Sequence, residues 1–380
     1  MGFILTEEQE LLKQTAHEFI QEKSPVAELR RLRDSVDEVG FDRKLFSEMS
    51  ELGWTGVVYP EDFGGLDMGY FELGQIFEEC GRALVAQPIL ASVVMGGGCI
   101  LEGGNELQQK DVLTAVCSGE KVLSLAFQER SHYSPHHVET TAELSGDQFV
   151  LNGCKTFVLD GHVADQIVVV ARTSGSKADR EGLTLFLVDA DAQGLQVDRT
   201  IMVDGRNAAN LGLDGVKVEK SAVIGEVDRG ADVLDPVLDR ATIMLCAEML
   251  GTLDQAFQKT LEYLKTREQF GVLIGTFQAL KHRAANMFVE AELSRSIVME
   301  AMSALDGDDH ERLSMLTSCA KARLNDAVVM ICNEAVQMYG GIGVTDEEDI
   351  GLYLKRGRVM VETLGSSSWH RDRYATLGGY

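Results

Sequence analysis

The sequence predicts an α+β fold built as a helical unit, an antiparallel β unit and a second helical unit. Three observations carry this. Apolar residues recur at helical spacing through residues 1–118, short runs rich in β-branched and aromatic residues fill 119–228, and helical spacing returns in long segments over 229–380.

Each element has a local reason. Thr6 and Gln9 have capping-box spacing, and Leu11, Leu12, Ala16, Phe19 and Ile20 follow on one helical face. The same period appears in Leu45, Phe46, Met49 and Leu52, and again in Leu73, Ile76, Phe77 and Cys80, on either side of the turn at 59–65. Strand-like runs are expected at 122–128, 149–151, 156–159, 166–171, 183–188 and 195–203, and Asn152-Gly153 is the clearest hairpin signal because both residues tolerate positive φ. Beyond Gly230 the segments 231–266 and 277–305 are long enough to pack as an antiparallel bundle or to build an oligomer interface, with breaks at 271–275, 306–309 and 340–349.

Composition narrows the function. A chain of 380 residues with 45% apolar content has material for two or three buried units. A formal charge of -25 repels phosphate backbones, so nucleic acid is an unsuitable partner and any phosphate-bearing ligand must meet a local basic patch. The 7 cysteines lack CxxC or zinc-like spacing, which predicts reduced thiols in a cytoplasm-like compartment. No basic-then-apolar leader opens the chain, and no stretch is expected to approach the roughly 18 apolar residues of a membrane helix, so neither export nor membrane insertion is expected. Gly2 with Thr6 fits the loose myristoylation pattern, which a capped acidic helix explains equally. His136-His137 would point to opposite sides of a strand, so a solvated loop is expected there and no metal site.

Motifs near the C-terminus are more specific. Arg267-Glu268-Gln269-Phe270-Gly271 and Phe277-Gln278 precede, by about seventy residues, the glycine turn Gln337-Met338-Tyr339-Gly340-Gly341-Ile342-Gly343, which leads on to Val361-Glu362-Thr363-Leu364-Gly365-Ser366. This constellation resembles the C-terminal domain of the acyl-CoA dehydrogenases, and the helical, β, helical order extends the resemblance over essentially the whole chain. It implies an acyl-CoA dehydrogenase-like fold ending in a four-helix bundle, with FAD between the β domain and the bundle. It further implies that Arg267, Phe270, Gln278, Gln337 and Gly341 hold the ADP half of an FAD bound mainly by a neighbouring subunit. The residue types suit that work: Arg267 offers a donor fork to pyrophosphate, Phe270 an apolar surface, and Gly341 a backbone without a Cβ.

The flavin-ring side matches less well. Where the family commonly shows Thr-Glu-Pro-x-x-Gly-Ser-Asp, this chain has residues 128–135, and an ungapped alignment keeps only Glu129 and Ser134. The resemblance places Gln128 and Phe157 at the ring, while Leu159 stands where a threonine hydroxyl usually serves flavin N5. This asymmetry resembles the smaller partner subunits of heteromeric bacterial acyl-CoA dehydrogenases of the pimeloyl-CoA and steroid side-chain type. Gly81-Arg82-Ala83-Leu84-Val85, Leu159-Asp160-Gly161 with Ala164-Asp165, and the ending from Leu364 to Arg371 share that likeness.

The activity so implied is FAD-dependent α,β-dehydrogenation of an acyl-CoA, with electrons passed to an electron-transfer flavoprotein, in a homo- or hetero-oligomeric dimer or tetramer. The alternative is a non-catalytic partner that completes another subunit's FAD site. Dehydrogenation needs a carboxylate to take the weakly acidic α-proton. Leu364 occupies the place of the family's usual glutamate. Glu362 lies two residues earlier, which on a helix turns its side chain by about 200°. Asp239, followed by Arg240, falls in the helix where isovaleryl- and long-chain-type enzymes place an alternative glutamate, and Glu248 further along reads as structural. His370, Arg371 and Arg373 form a basic cluster suited either to ligand phosphates or to a helix end.

Overall fold

The computed structural model describes residues 5–307 and 310–380. The chain begins with α1 (Glu7–Lys23), α2 (Val26–Asp34), α3 (Arg43–Glu51) and α4 (Tyr70–Arg82). A wide-turned helical stretch, Leu90–Gly96, runs into α5 (Gly97–Gly103), and α6 (Glu106–Gln108) and α7 (Thr114–Cys117) follow. Next come β1 (Leu123–Ala126), β2 (Thr141–Ser145), β3 (Gln148–Leu159), β4 (Gln166–Arg172), β5 (Leu183–Asp189), β6 (Leu195–Ile201), β7 (Asn207–Glu219) and β8 (Val223–Ile224). The last part comprises α8 (Ala231–Thr266), the short strands β9 (Glu268–Gln269) and β10 (Val272–Leu273), α9 (Gln278–Leu305), α10 (His310–Tyr339), α11 (Ile350–Glu362) and α12 (Ser367–Leu377). The expected helical, β, helical order is therefore present.

Contacts sort these elements into two compact units. One holds the chain up to Arg31 together with Tyr70–Val85 and Thr242–Tyr380; the other holds Leu32–Gly69 and Ala86–Ala241.

In the first unit α1 starts at the capping box read from the sequence, with the Thr6 hydroxyl accepting from Gln9 N–H at 3.2 Å and the Gln9 side chain returning to Thr6 N–H at 3.0 Å. α4 and α8 meet backbone to backbone: a Cβ on Gly81 would strike the Glu248 carbonyl, and one on Gly251 the Glu78 carbonyl. Charges seal the contact. Arg82 pairs with Glu78 and Glu79 at 3.1 Å each and with Asp254 at 2.5 Å, while Glu78 also receives Lys13 at 2.5 Å and Arg295 at 2.9 Å. Burial alone would raise the Glu78 carboxyl, but these three cations outweigh it and pull the group down to about 2. The buried Arg356 of α11 donates to Glu248 at 3.0 Å and to the Leu84 and Val85 carbonyls at 3.1 and 3.2 Å, closing the end of α4.

In the second unit seven strands follow the order β6-β7-β3-β2-β4-β5-β8, with β1 beside β4. Their inner faces bury Phe149, Leu151, Ile167, Val169, Phe186 and Leu211, and the Phe149 and Phe186 rings lie 5.0 Å apart. The sheet departs from the expected all-antiparallel pattern, because β1 pairs with β4 in parallel.

Asn152-Gly153 is not a hairpin. Both residues lie inside the continuous strand β3, where Gly153 (φ 150) marks a register shift against β7. The actual turn is at Gly146-Asp147, between the paired Ser145 and Gln148. Strands β2 and β7 fall outside the expected runs; β7, with its Asn-Ala-Ala-Asn start and two glycines, carries few β-branched residues. One segment, Arg312–Val344, reaches a mean hydropathy of 1.3 over 18 residues, correcting the view that nothing approaches membrane-helix composition. Here that segment includes most of α10, which packs against α9, α11 and α12. Gly2 and residues 308–309 of the expected 306–309 break lie outside the described residues.

Candidate functional site

The five residues of the expected ADP clamp are all solvent-exposed, and a short hairpin explains how three of them are held. Arg267 follows the last turn of α8; its N–H donates to the Tyr263 carbonyl at 2.9 Å, and its own carbonyl accepts from Ile274 N–H at 2.9 Å. Between these bonds β9 and β10 form a hairpin whose turn residues Phe270 and Gly271 both have positive φ, 55° and 76°. That is the two-residue turn favoured by strand twist. It leaves the Phe270 ring 91% exposed, touching Phe277 edge-on at 6.1 Å just before Gln278 opens α9.

Gln337 lies in the last turn of α10, which runs directly into Gly340 (φ 70) and Gly341. A Cβ at either glycine would meet nothing within 4 Å, so open space lies against this backbone. Among the described residues Arg267 has no ion pair.

The expected ring-side residues belong to the other unit and are more enclosed. Gln128 follows β1; its carbonyl accepts from Thr156 N–H at 2.8 Å and its amide donates to the Arg130 carbonyl at 3.1 Å. Glu129 accepts from Lys155 at 2.6 Å and from the N–H groups of Glu139 and Thr140 at 2.6 and 3.0 Å. Burial opposes charge on both partners, but Lys155 holds the Glu129 carboxyl below its usual range, while burial pushes the Lys155 amine down to about 8. Glu129, one of the two motif residues retained here, thus braces this loop. Phe157 sits at a second register shift of β3 with φ 53°, and the neighbouring Thr156 hydroxyl is buried without a partner. The Leu159 carbonyl is occupied by the Ser124 hydroxyl at 2.6 Å.

The Leu364-Gly365 turn is closed and apolar. Leu364 is 3% exposed and left-handed (φ 57), a conformation costing a β-carbon-bearing residue about 1 kcal/mol. Its carbonyl accepts from His370 Nε2 at 2.8 Å, and the Gly365 carbonyl accepts from Lys321 Nζ at 3.2 Å and Asn325 Nδ2 at 3.1 Å. Lys321 also donates to Asn325 Oδ1 at 2.6 Å and the Met360 carbonyl at 2.9 Å, so three acceptors await the three protons of an ammonium. Burial pushes Lys321 down to about 7, with Cys246 and Glu362 opposing. Burial likewise pushes His370 down to about 3, leaving a neutral imidazole whose Nε2–H donates to Leu364. His370 is therefore part of the turn's support, and of the two roles open to its basic cluster the structure places this residue in the helix-end one. Lys321 and Asn325 had gone unnoticed in the sequence; with Thr317 they recur every four residues as a buried polar stripe on α10.

The carboxylates separate clearly. Glu362 is the exposed last residue of α11, and Leu364 has already left the helix, so the 200° helical relation expected between them does not apply. Asp239 is 6% exposed within α8, and the adjacent Arg240 pairs with Glu102. Glu248 is structural, bound to Arg356. His136 and His137 lie in a partly exposed loop, as expected, and each also has a carboxylate partner: His136 meets Asp235 at 2.6 Å and His137 meets Glu139 at 2.9 Å. Among the described residues no group of three or more His, Cys, Asp or Glu is placed to hold a metal ion.

Three family matches cover most of the chain: the acyl-CoA dehydrogenase N-terminal domain over residues 6–120, the middle domain over 128–216 and the C-terminal domain over 228–376. The chain belongs to the acyl-CoA dehydrogenase family. It is 30% identical to a 3-(aryl)acrylate reductase of Clostridium sporogenes, covering 95% of this chain and 96% of that protein. It is 29% identical to the caffeyl-CoA reductase-Etf complex subunit CarC of Acetobacterium woodii, covering 95% and 96%. The ChsE4-ChsE5 complex of Mycobacterium tuberculosis superposes with a TM-score of 0.89 at 26% identity, over 100% of this chain and 99% of that one.

As a member of this family the chain is an FAD-dependent oxidoreductase acting on CH–CH bonds. The residues present fit the two halves of FAD unequally. The residues expected at the ADP half are an exposed guanidinium, an exposed aromatic ring and a glycine backbone open to approach. Of the residues expected at the ring, Leu159 carries no hydroxyl, and the Thr156 Oγ1 earlier on β3 is buried without a partner.

Proposed function

We propose that this chain is a subunit of an acyl-CoA dehydrogenase in which Arg267, Phe270, Gln278, Gln337 and Gly341 hold the ADP half of FAD, with Gln128 and Phe157 beside the ring. The observation that carries this reading is the exposed clamp: an arginine with no ion pair among the described residues, a presented phenyl ring and a glycine backbone facing open space. We assign the division 1–118, 119–228 and 229–380 to the three functional domains, and place the protein in the cytoplasm, which suits seven cysteines without disulfides.

Bound FAD supplies the acceptor for the hydride leaving the β-carbon of a CoA thioester. The chain's own task is to remove the α-proton. Leu364 has no group for it, and the turn that carries it is fixed by Lys321, Asn325 and His370. Of the two remaining carboxylates, Asp239 is the better base, because a buried group can work in a water-poor site whereas Glu362 lies in solvent.

A second reading has support in Leu159 and Leu364: a partner subunit that donates the clamp and performs no proton transfer. The heteromeric ChsE4-ChsE5 relative favours an assembly of two chain types, and CarC, in its Etf complex, favours an electron-transfer flavoprotein as electron acceptor. Anaerobic mixing of the flavin-loaded assembly with acyl-CoA decides between the two readings. Loss of bleaching in Asp239→Asn with FAD content intact supports the base assignment; undiminished bleaching in both Asp239→Asn and Glu362→Gln overturns it and leaves the partner-subunit reading.

A further inference from the structure

The clamp residues come from two chain segments about seventy residues apart, and side chains outside the clamp tie those segments together, with Tyr263 the one that reaches the main chain before the glycines. Tyr263 lies in the last turns of α8. Its carbonyl takes the Arg267 N–H at 2.9 Å, its hydroxyl donates to the Tyr339 carbonyl at 3.3 Å, and its ring stacks on that of Tyr339 at 4.1 Å with the planes only 10° apart. Tyr339 is the residue directly before Gly340. Its own hydroxyl returns to the Lys259 carbonyl at 3.2 Å, one helical turn earlier on α8. Lys259 in turn meets Asp349 at 3.3 Å beyond the glycine turn, and Asp349 is gripped by Arg30 at 3.0 Å.

We propose that Tyr263 is a positioning residue for the adenine end of the flavin site, setting the place of the Gly340-Gly341 backbone relative to Arg267. The inference rests on the clamp proposed above. Its reason is geometric. Gly340 and Gly341 have no side-chain contacts of their own to hold them, and glycine backbone is the most permissive in the chain. A pyrophosphate or adenine group that must meet both a guanidinium and this backbone gains from having the two held in advance, because less order has to be imposed on binding. The Tyr263 hydroxyl acts at the main chain directly preceding those glycines, and the stacked rings limit its swing. Burial pushes the Tyr339 phenol upward, so that hydroxyl also stays protonated at neutral pH.

The test compares two substitutions in the flavin-loaded assembly, Tyr263→Phe and Tyr339→Phe, with Arg267→Ala beside them. Each Phe variant keeps the ring stack and removes one hydroxyl bond, so a purely structural role would make them alike in both thermal unfolding and FAD affinity. The proposal expects Tyr263→Phe to weaken FAD binding by roughly five- to tenfold, while Tyr339→Phe changes it less than about twofold. Equal effects of the two, or an unaltered Tyr263→Phe alongside a weakened Arg267→Ala, overturn the positioning role and leave the clamp standing. Undiminished binding in all three removes the clamp and the inference together.

Discussion

The clamp and the Leu364-Gly365 turn stand in contrast. At the clamp, Arg267, Phe270, Gln278, Gln337 and Gly341 are exposed and make few contacts with the rest of the fold. At the turn, Leu364 and Gly365 are buried and their carbonyls have donors from Lys321, Asn325 and His370. The difference teaches that the turn is held by the protein's own donors, whereas the proposed clamp leaves its polar and aromatic groups free for a ligand. Substitutions should therefore separate into those that affect binding or turnover without stability and those that do the reverse.

The largest effect is expected where chemistry is concerned. Asp239→Asn should slow anaerobic flavin bleaching by roughly a hundredfold or more with FAD content unchanged, whereas Glu362→Gln should leave the rate within about twofold; stopped-flow absorbance measures both. Next, Arg267→Ala should weaken FAD by roughly tenfold or more, since a charge-assisted contact is lost, yet shift the melting temperature of the FAD-free protein little. The turn should show the mirror image. Lys321→Met takes the lysine donor from the buried Asn325 Oδ1 and Met360 carbonyl, while Gly365 keeps Asn325 Nδ2, and should destabilise the protein by about 3 kcal/mol in denaturant unfolding.

A pH dependence is the finest distinction, because it follows a single group. His370 is depressed from 6.5 to about 3, so the unfolded chain binds its proton more readily than the folded one between those values. Stability from this group is whole above pH 6.5 and lost as pH falls towards 3. Replacing His370 by Asn should flatten that limb of the stability curve, while Arg267→Ala should leave its shape unchanged. Glu78 adds a second acid loss at lower pH, since its folded value near 2 lies below the ordinary 4.5.

The legible parts of the sequence were those with local causes. The Thr6-Gln9 box, the helical periods and most strand runs are set by neighbours in the chain, and the structure has them. The family was legible through Arg267 to Gly271 and the glycine turn, since their spacing is itself a signature, and the C-terminal family match spans both segments. Asn152-Gly153 misled because a dipeptide that permits a turn also permits a bulge, and pairing with β7 decided the matter. The support of Leu364 was not legible: Lys321 and His370 carry polar chemistry in sequence, but only burial shows that they serve carbonyls. Tyr263 and Tyr339, 76 residues apart, meet only through the packing of α8 on α10.

The account stands most directly on the FAD dissociation constant of the assembly with wild-type chain and with Arg267→Ala, measured alongside thermal unfolding of both without flavin. It predicts a roughly tenfold or greater loss of affinity with closely similar unfolding. Equal affinity, or a loss matched by an equally large fall in stability, would contradict the claim that this exposed surface is reserved for the cofactor.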